Sequence, residues 1–171
     1  TLPQPFREED PCGENIHWGA YGTDKLAAER CLLERVPEAY VLRPPYLYGA
    51  GNNLYREAFV FECAQAGRPF YLPQDGSMPL QMFHIRDLCR FMELLLERRP
   101  SCHVFNVGNP GIVTVRDWVT LCYQAAGREP EFVHVDSNVP QRSYFPFRNY
   151  GYRLDVARQT QLMPETMPLA E

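Results

Sequence analysis

Lysine is all but missing from this chain: there is one, Lys25, against sixteen arginines in 171 residues. Other absences narrow the field. No run of about 18 apolar residues occurs, so no membrane-spanning helix is expected. Basic residues nowhere form a long run and the net charge is −4, which disfavours, without excluding, an electrostatic grip on nucleic acid. None of the six cysteines, at 12, 31, 63, 89, 102 and 122, belongs to a C-x-x-C pair, and His17, His84, His103 and His134 are scattered. No metal site is therefore read. Cys31, Cys63 and Cys89 lie inside helix-like apolar patterns, where cysteine acts as a small hydrophobe. Reduced thiols and a cytoplasmic home are the expectation. A G-x-G-x-x-G turn, the usual cradle of a dinucleotide pyrophosphate, does not occur.

Strands alternating with helices are present, which argues for an α/β layered fold. Residues 1–16 are proline-rich and acidic and read as a loop. The spacing of apolar residues predicts helices over 19–35, 54–66 and 85–99, with Gly67 and Pro100 as stops. Thr114, with Asp117 three residues on, approximates a capping box that opens a helix running to Ala126. A last helix is expected over 152–162. Strands are expected from residue 39, stopped by Pro44-Pro45, and at 70–73, 103–109 and 131–135, with 80–85 extended. His84, between Phe83 and Ile85, reads as a hydrogen-bonded structural histidine, and Arg86 as an outward helix residue.

Within the first helix, Tyr21 and the lone lysine stand four residues apart, on one face. A phenol ionises near pH 10. A neighbouring ammonium favours the phenolate and pulls that value down. The pair can then exchange a proton with an alcohol or ketone, as hydride transfer requires. Lysine, a compact and rotatable charge, suits the role better than arginine. A solvated lysine beside a packed tyrosine is the plainer alternative.

The surrounding residues bear a resemblance. "PFREEDP" followed by "YGTDKLAAE" is similar to the P-F-x-E-x-x-P and Y-G-x-x-K-x-x-x-E segments of the extended short-chain dehydrogenase/reductases, the NAD-dependent epimerase/dehydratases. Pro5, Phe6, Glu8, Pro11, Tyr21, Gly22, Lys25 and Glu29 match. "LRPPYLYGAGNN" resembles the next segment, through Arg43, Pro44, Tyr48, Gly49 and Gly51. "FHIRDLCRFMELLLE" and "FNVGNPGIVTVRDWV" follow in the family's order, with Asp117 in place of a glutamate.

The resemblance implies the C-terminal portion of a Rossmann-type doubly wound parallel sheet. A small α/β substrate lobe would be drawn mainly from residues 50–82 and 110–171. It implies NAD or NADP as cofactor, Tyr21 as acid/base, and Lys25 as the group that holds the nicotinamide ribose. The chain near Pro44, Pro45, Tyr46 and Leu47 would pass the carboxamide. A small sugar-like or carbonyl substrate would meet Asn52, Asn53, Gln81 and Arg148 at its side of the cleft. The family's glycine-rich turn and its third catalytic group, a Ser or Thr, would both precede Thr1, so residues 1–171 alone are expected to be inactive. Gln81 stands where sugar-nucleotide enzymes carry a phosphate-gripping arginine, and an amide cannot replace that cationic fork. "FPFRNYGYRLDVAR" and neighbouring segments resemble the chloroplast stem-loop RNA-binding proteins and their bacterial relatives, which leaves an RNA-binding role as the alternative to redox turnover. A homodimer is expected through the Tyr21 helix, by an outward stripe at Leu26 and Leu33, and through the apolar helix of 54–66.

Overall fold

The computed structural model describes residues 2–169. Helix α1 spans Gly19–Arg35, as its periodicity predicts. It is opened from upstream: the Asn15 side-chain oxygen accepts the backbone N–H groups of His17 and Trp18, and the Asn15 carbonyl accepts that of Gly19. An asparagine turn thus supplies the cap that Trp18 cannot.

The chain then runs through β1 (Val41–Arg43) and β2 (Tyr46–Tyr48). The prolines do not end the extended run, as the sequence predicts, but divide it. Pro44 and Pro45 have no N–H to give a ladder, and across them the chain changes partner. β1 pairs in parallel with β6 (Val104–Asn106), in the register Leu42 to Phe105. β2 pairs in parallel with β5 (Met82–His84), Leu47 opposite Phe83. Beyond them β3 (Phe70–Pro73) pairs in parallel with β8 (Phe132–Val135), and β4 (Pro79–Leu80) runs antiparallel to β7 (Val113–Thr114). The described sheet is thus four strand pairs, three of them parallel.

Helices α2 (Glu57–Gln65), α3 (Ile85–Arg98), α4 (Val115–Ala125) and α5 (Ala157–Leu162) complete the fold. Thr114 caps α4 by accepting the Asp117 N–H, and His84 caps α3 by accepting the Arg86 N–H through Nδ1. The last helix is shorter than its sequence pattern. Residues before it are extended instead, because Leu154 bridges in parallel to Phe6 of the N-terminal arm. Gly49 (φ +112°) must be glycine: a Cβ there would stand 2.6 Å from His84 Nε2.

Two apolar cores result. One joins α2 and α4 to β3 and β4 around Trp118, Phe145 and Phe147. The other packs α3 on β5 and β6 through Phe83, Phe91 and Phe105, and is closed by Met163. Residues of α2 (Val60, Cys63, Ala64) lie in the first core, with Phe59 and Phe61 half-buried against it. Leu26, expected to face outward on α1, lines a cavity instead. No residue of α1 is fully buried, and Leu32 is the leucine that faces out.

Gln159 joins α5 to the end of β6. Its buried amide accepts the Gly108 N–H at 2.7 Å and donates to the Gly108 carbonyl at 3.1 Å. Gln159→Leu keeps the volume and orphans both groups. It should lower unfolding free energy by about 2 kcal/mol or more, read as a lower urea midpoint at unchanged slope. Val133→Ala, on the exposed side of β8, should change it by less than about 0.5 kcal/mol.

The described cysteines are all free. Burial pushes the Cys122 thiol up to about 12 and raises that of Cys63, which keeps both protonated and inert. Iodoacetamide at pH 8 should label the exposed Cys12, Cys31 and Cys89 in the native protein. Cys63 and Cys122 should react only in denaturant, as peptide masses will show.

Candidate active site

A cavity of about 690 Å³ opens between α1, the N-terminal arm, the ends of β1 and β6, and the segment from Tyr150 to Leu154. That volume is typical of a small-molecule site. Gly22, Lys25, Leu26 and Glu29 form the helical wall, as residues at 3–4 spacing must.

The helix is fixed to the sheet by charge. Arg43, the last residue of β1, grips Glu29 with a two-pronged fork: Nε donates to Oε2 at 3.1 Å and Nη2 to Oε1 at 2.5 Å. Its Nη1 also donates to the Glu8 carbonyl at 3.1 Å. The hydrogen bond to Glu29 raises the Arg43 pKa and outweighs burial, which acts the other way. The arm is held as firmly. Asn106 of β6 donates its N–H to the Glu8 carboxylate and its side-chain amide to the Phe6 carbonyl. Phe6 exchanges backbone hydrogen bonds with Arg153 and Asp155, and Arg158 pairs with Glu8 and Glu9.

Aromatic rings close the remaining side. Tyr150 stacks on His17 at 3.7 Å and on Tyr152 at 5.8 Å, and Tyr152 meets the edge of Trp18. Burial raises the Tyr152 pKa above that of a free phenol. The Arg148 guanidinium lies 5.2 Å from the Trp18 ring, in cation–π range.

Tyr21 and Lys25 share a face: the Lys25 ammonium is 5.8 Å from the centroid of the Tyr21 ring. Lys25 lines the cavity. Tyr21 stands one turn earlier, outside the lining of the cavity; it is 62% exposed, its ring 6.0 Å from that of Trp18. Arg148, on the same tryptophan, does not line the cavity either.

The other expected ligand residues lie elsewhere. None of Pro44, Pro45, Tyr46 and Leu47 lines this cavity: Pro45 and Tyr46 are buried, and Leu47 packs on the second core. Asn52 knits its own loop, donating to Glu57 and the Leu47 carbonyl and accepting from the Leu54 N–H. Asn53 is exposed. Gln81 is buried with its amide committed to backbone, donating to Asn109 and Leu154 carbonyls and accepting the Leu154 N–H at 2.8 Å. That leaves none of its polar atoms for a ligand.

Residues that sequence reasoning did not single out for the cavity are Cys12, Trp18, Asn106, Tyr150 and Tyr152. Glu29 and Arg43 figured only as pattern matches. A glutamate four residues beyond Lys25 was the available signal that this helical face is polar. Among the described residues no three of His, Cys, Asp and Glu gather to hold a metal. No described helix is long and apolar enough to cross a membrane.

Comparison with known proteins adds to this geometry. A sequence model described as the NAD dependent epimerase/dehydratase family matches residues 2–108. The chloroplast stem-loop binding protein of 41 kDa b of Arabidopsis thaliana is 29% identical over 144 residues, 81% of this chain and 38% of that protein. A dTDP-4-dehydrorhamnose reductase of Mycobacterium tuberculosis is 25% identical over 149 residues, 83% of this chain and 47% of the enzyme. The chain therefore spans less than half the length of these curated relatives. Among solved structures, UDP-N-acetylglucosamine 4-epimerase from Bacillus cereus superposes with a TM-score of 0.73 at 18% identity, over 98% of this chain and 56% of that one. WbmH of Bordetella bronchiseptica, in complex with NAD+, gives 0.75 at 18% identity, over 99% and 54%. These likenesses show a shared Rossmann-type α/β fold.

Breaking the fork should loosen α1. The two side chains are 24% and 16% exposed, so the effect falls below that of a fully buried pair. Glu29→Gln should cost about 1–3 kcal/mol in urea unfolding, and adding Arg43→Met should recover part of it. Unchanged stability in Glu29→Gln would show that the helix is held by other contacts.

Proposed function

Since this chain belongs to the NAD dependent epimerase/dehydratase family, we propose that it carries the acid/base half of an NAD(P)-dependent oxidoreductase, epimerase or dehydratase. The substrate is a small sugar-like or carbonyl compound. The observation that carries this reading is the Lys25 ammonium, which lines a ligand-sized cavity, 5.8 Å from the ring of Tyr21 beside the cavity's edge residue Trp18.

The residues fit the nicotinamide end of the cofactor. Lys25 is free of any ion pair among the described residues, so its three N–H donors are available to ribose hydroxyls. The bound nicotinamide supplies a hydride donor or acceptor. Tyr21 gives or takes the proton at the substrate oxygen. Lys25 stabilises the phenolate that results, as a nearby cation must. Trp18, Tyr150 and Tyr152 give the cavity an aromatic side on which a flat ligand ring can rest. Arg148 meets an anionic part of the substrate. Leu32 and the outward side of α1, with the neighbouring α2, are offered to a second copy of the chain.

The second reading, RNA binding, draws on the chloroplast relative's name and on exposed rings that could stack bases. One variant separates the two. Tyr21→Phe in the whole protein should lower kcat by about 100-fold or more while NAD affinity, followed by fluorescence titration, stays within about twofold. The substrate panel should include dTDP-4-dehydrorhamnose, the compound named by the reductase relative. Full turnover by Tyr21→Phe overturns the mechanism. Absence of turnover and of NAD binding in the unmodified protein, with micromolar binding of a stem-loop RNA, supports the second reading instead.

A further inference from the structure

The charges that line the cavity cancel: Asp10, Glu14 and Glu29 stand against Arg7, Lys25 and Arg43. Both arginines are already engaged, Arg43 by the fork to Glu29 and Arg7 by Asp155 at 3.8 Å. Lys25 is unpaired among the described residues, and ribose hydroxyls claim it. A diphosphate brought here would gain no free guanidinium from the lining and would face Asp10 and Glu14. Like charges brought together act against such a ligand and leave a neutral one untouched. Gln81 cannot compensate, since its amide is engaged with backbone groups of Asn109 and Leu154. Arg148 lies outside the lining, on Trp18, which leaves one guanidinium at the rim for a single anionic substituent.

What the cavity offers instead is aromatic surface of a defined shape. The Trp18 and Tyr152 rings stand 6.4 Å apart at 85° and form two walls of a corner. Tyr150 extends the second wall: its ring lies 5.8 Å from that of Tyr152, with the planes 21° apart. His17 backs it at 3.7 Å and 13°. Trp18, Tyr150 and Tyr152 all line the cavity. The walls are held in place, since Tyr152 packs 5.6 Å from the core ring of Tyr46. A flat ring in that corner stacks on one wall and meets the other edge to face, the two arrangements aromatic pairs prefer. A saturated ring is puckered and lacks the quadrupole on which both arrangements depend. Burial keeps the Tyr152 hydroxyl protonated, and it has no hydrogen-bond partner among the described residues. It is a neutral donor left for a ligand oxygen.

We infer that Trp18, Tyr150 and Tyr152 are specificity-determining residues, and that they select a carbonyl compound built on a flat aromatic ring, an aryl ketone or aldehyde, in place of a nucleotide-linked sugar. The ring lies in the aromatic corner, and its carbonyl is directed toward Lys25 and Tyr21. Charge and shape act together here: the balanced lining rejects a diphosphate, and the corner prefers a plane to a pucker. This deepens the preceding reading and rests on it for where the carbonyl reacts, but the selection of the ring is testable by binding, without turnover.

The test uses the whole protein and compares acetylnaphthalene with its ring-saturated counterpart, acetyldecalin, with dTDP as competitor. Equilibrium dialysis should give acetylnaphthalene an affinity about fivefold above that of acetyldecalin, although the saturated compound is the more hydrophobic of the two. About a tenfold excess of dTDP should not displace it. Trp18→Leu keeps an apolar side chain and removes the ring, and should bring the two affinities to within about twofold of each other. A variant that merely loosened the cavity would weaken both ketones alike and preserve their ratio. Equal binding of the two ketones by the parent protein, displacement by dTDP, or an unaltered preference in Trp18→Leu each overturns the proposal. Should Trp18→Leu fail to fold, Tyr150→Leu, at a half-buried position, takes its place, and the comparison on the parent protein decides in either case. If the Tyr21 and Lys25 reading alone is wrong, acetylnaphthalene still binds with its preference but is not reduced to the alcohol with NADH or NADPH.

Discussion

The fork between Arg43 and Glu29 is the contact on which the rest of the site depends. Helix α1 buries no residue completely, so apolar packing alone gives it little reason to lie where it does. An amphipathic helix is normally held by its apolar stripe. This one is held by two parallel charge-assisted hydrogen bonds to the end of β1, strengthened by their partial burial. The fork fixes both the distance and the rotation of the helix. Rotation is what matters, because Lys25 lies one turn before Glu29 and Tyr21 one turn before that. Setting Glu29 against the sheet turns Lys25 into the cavity, and places Tyr21, rotated by about 40° per four-residue step, beside it and toward solvent.

The same arginine also ties in the arm. Its third contact, to the Glu8 carbonyl, places Glu8 where Asn106 and Arg158 can reach it. The arm thereby forms a short bridge with the segment ahead of α5, and that segment brings Tyr150 and Tyr152 against His17 and Trp18. One ion pair, one strand end and one pair of backbone hydrogen bonds thus assemble walls from residues more than a hundred positions apart. The aromatic wall is continuous with the first core, because the Tyr152 ring lies 5.6 Å from that of Tyr46.

Much of the fold was legible. Helix α1 was legible to its boundaries from the roughly helical spacing of its apolar residues, and Thr114 announced α4 by its chemistry. The last helix was misjudged because its apolar spacing continues through Tyr152 and Leu154. Tertiary pairing with Phe6, a partner invisible to local pattern, overrides that propensity. The proline pair was read as a stop because proline removes a donor, yet the loss was accommodated by a change of strand partner. Helical spacing made the shared face of Tyr21 and Lys25 legible. The wall of Trp18, Tyr150 and Tyr152 was not, because it joins residues more than a hundred positions apart. The folded chain also engages the amides of Gln81 and Asn52 within the protein and packs the Tyr46 ring in a core, contacts that no local pattern shows.

The single lysine now has a physical account. Three cations line the cavity: Arg7, Lys25 and Arg43. Arg43 is bound to Glu29 and Arg7 lies 3.8 Å from Asp155. An arginine at position 25 would stand four residues before Glu29, the spacing at which helical ion pairs form. Its fork would compete with that of Arg43 for the same carboxylate and release the helix from β1. Lysine forms the weaker, less directional pair and leaves Glu29 to the sheet. The chain can use arginine wherever a cation must grip a partner, but beside Tyr21 it requires a cation that remains ungripped.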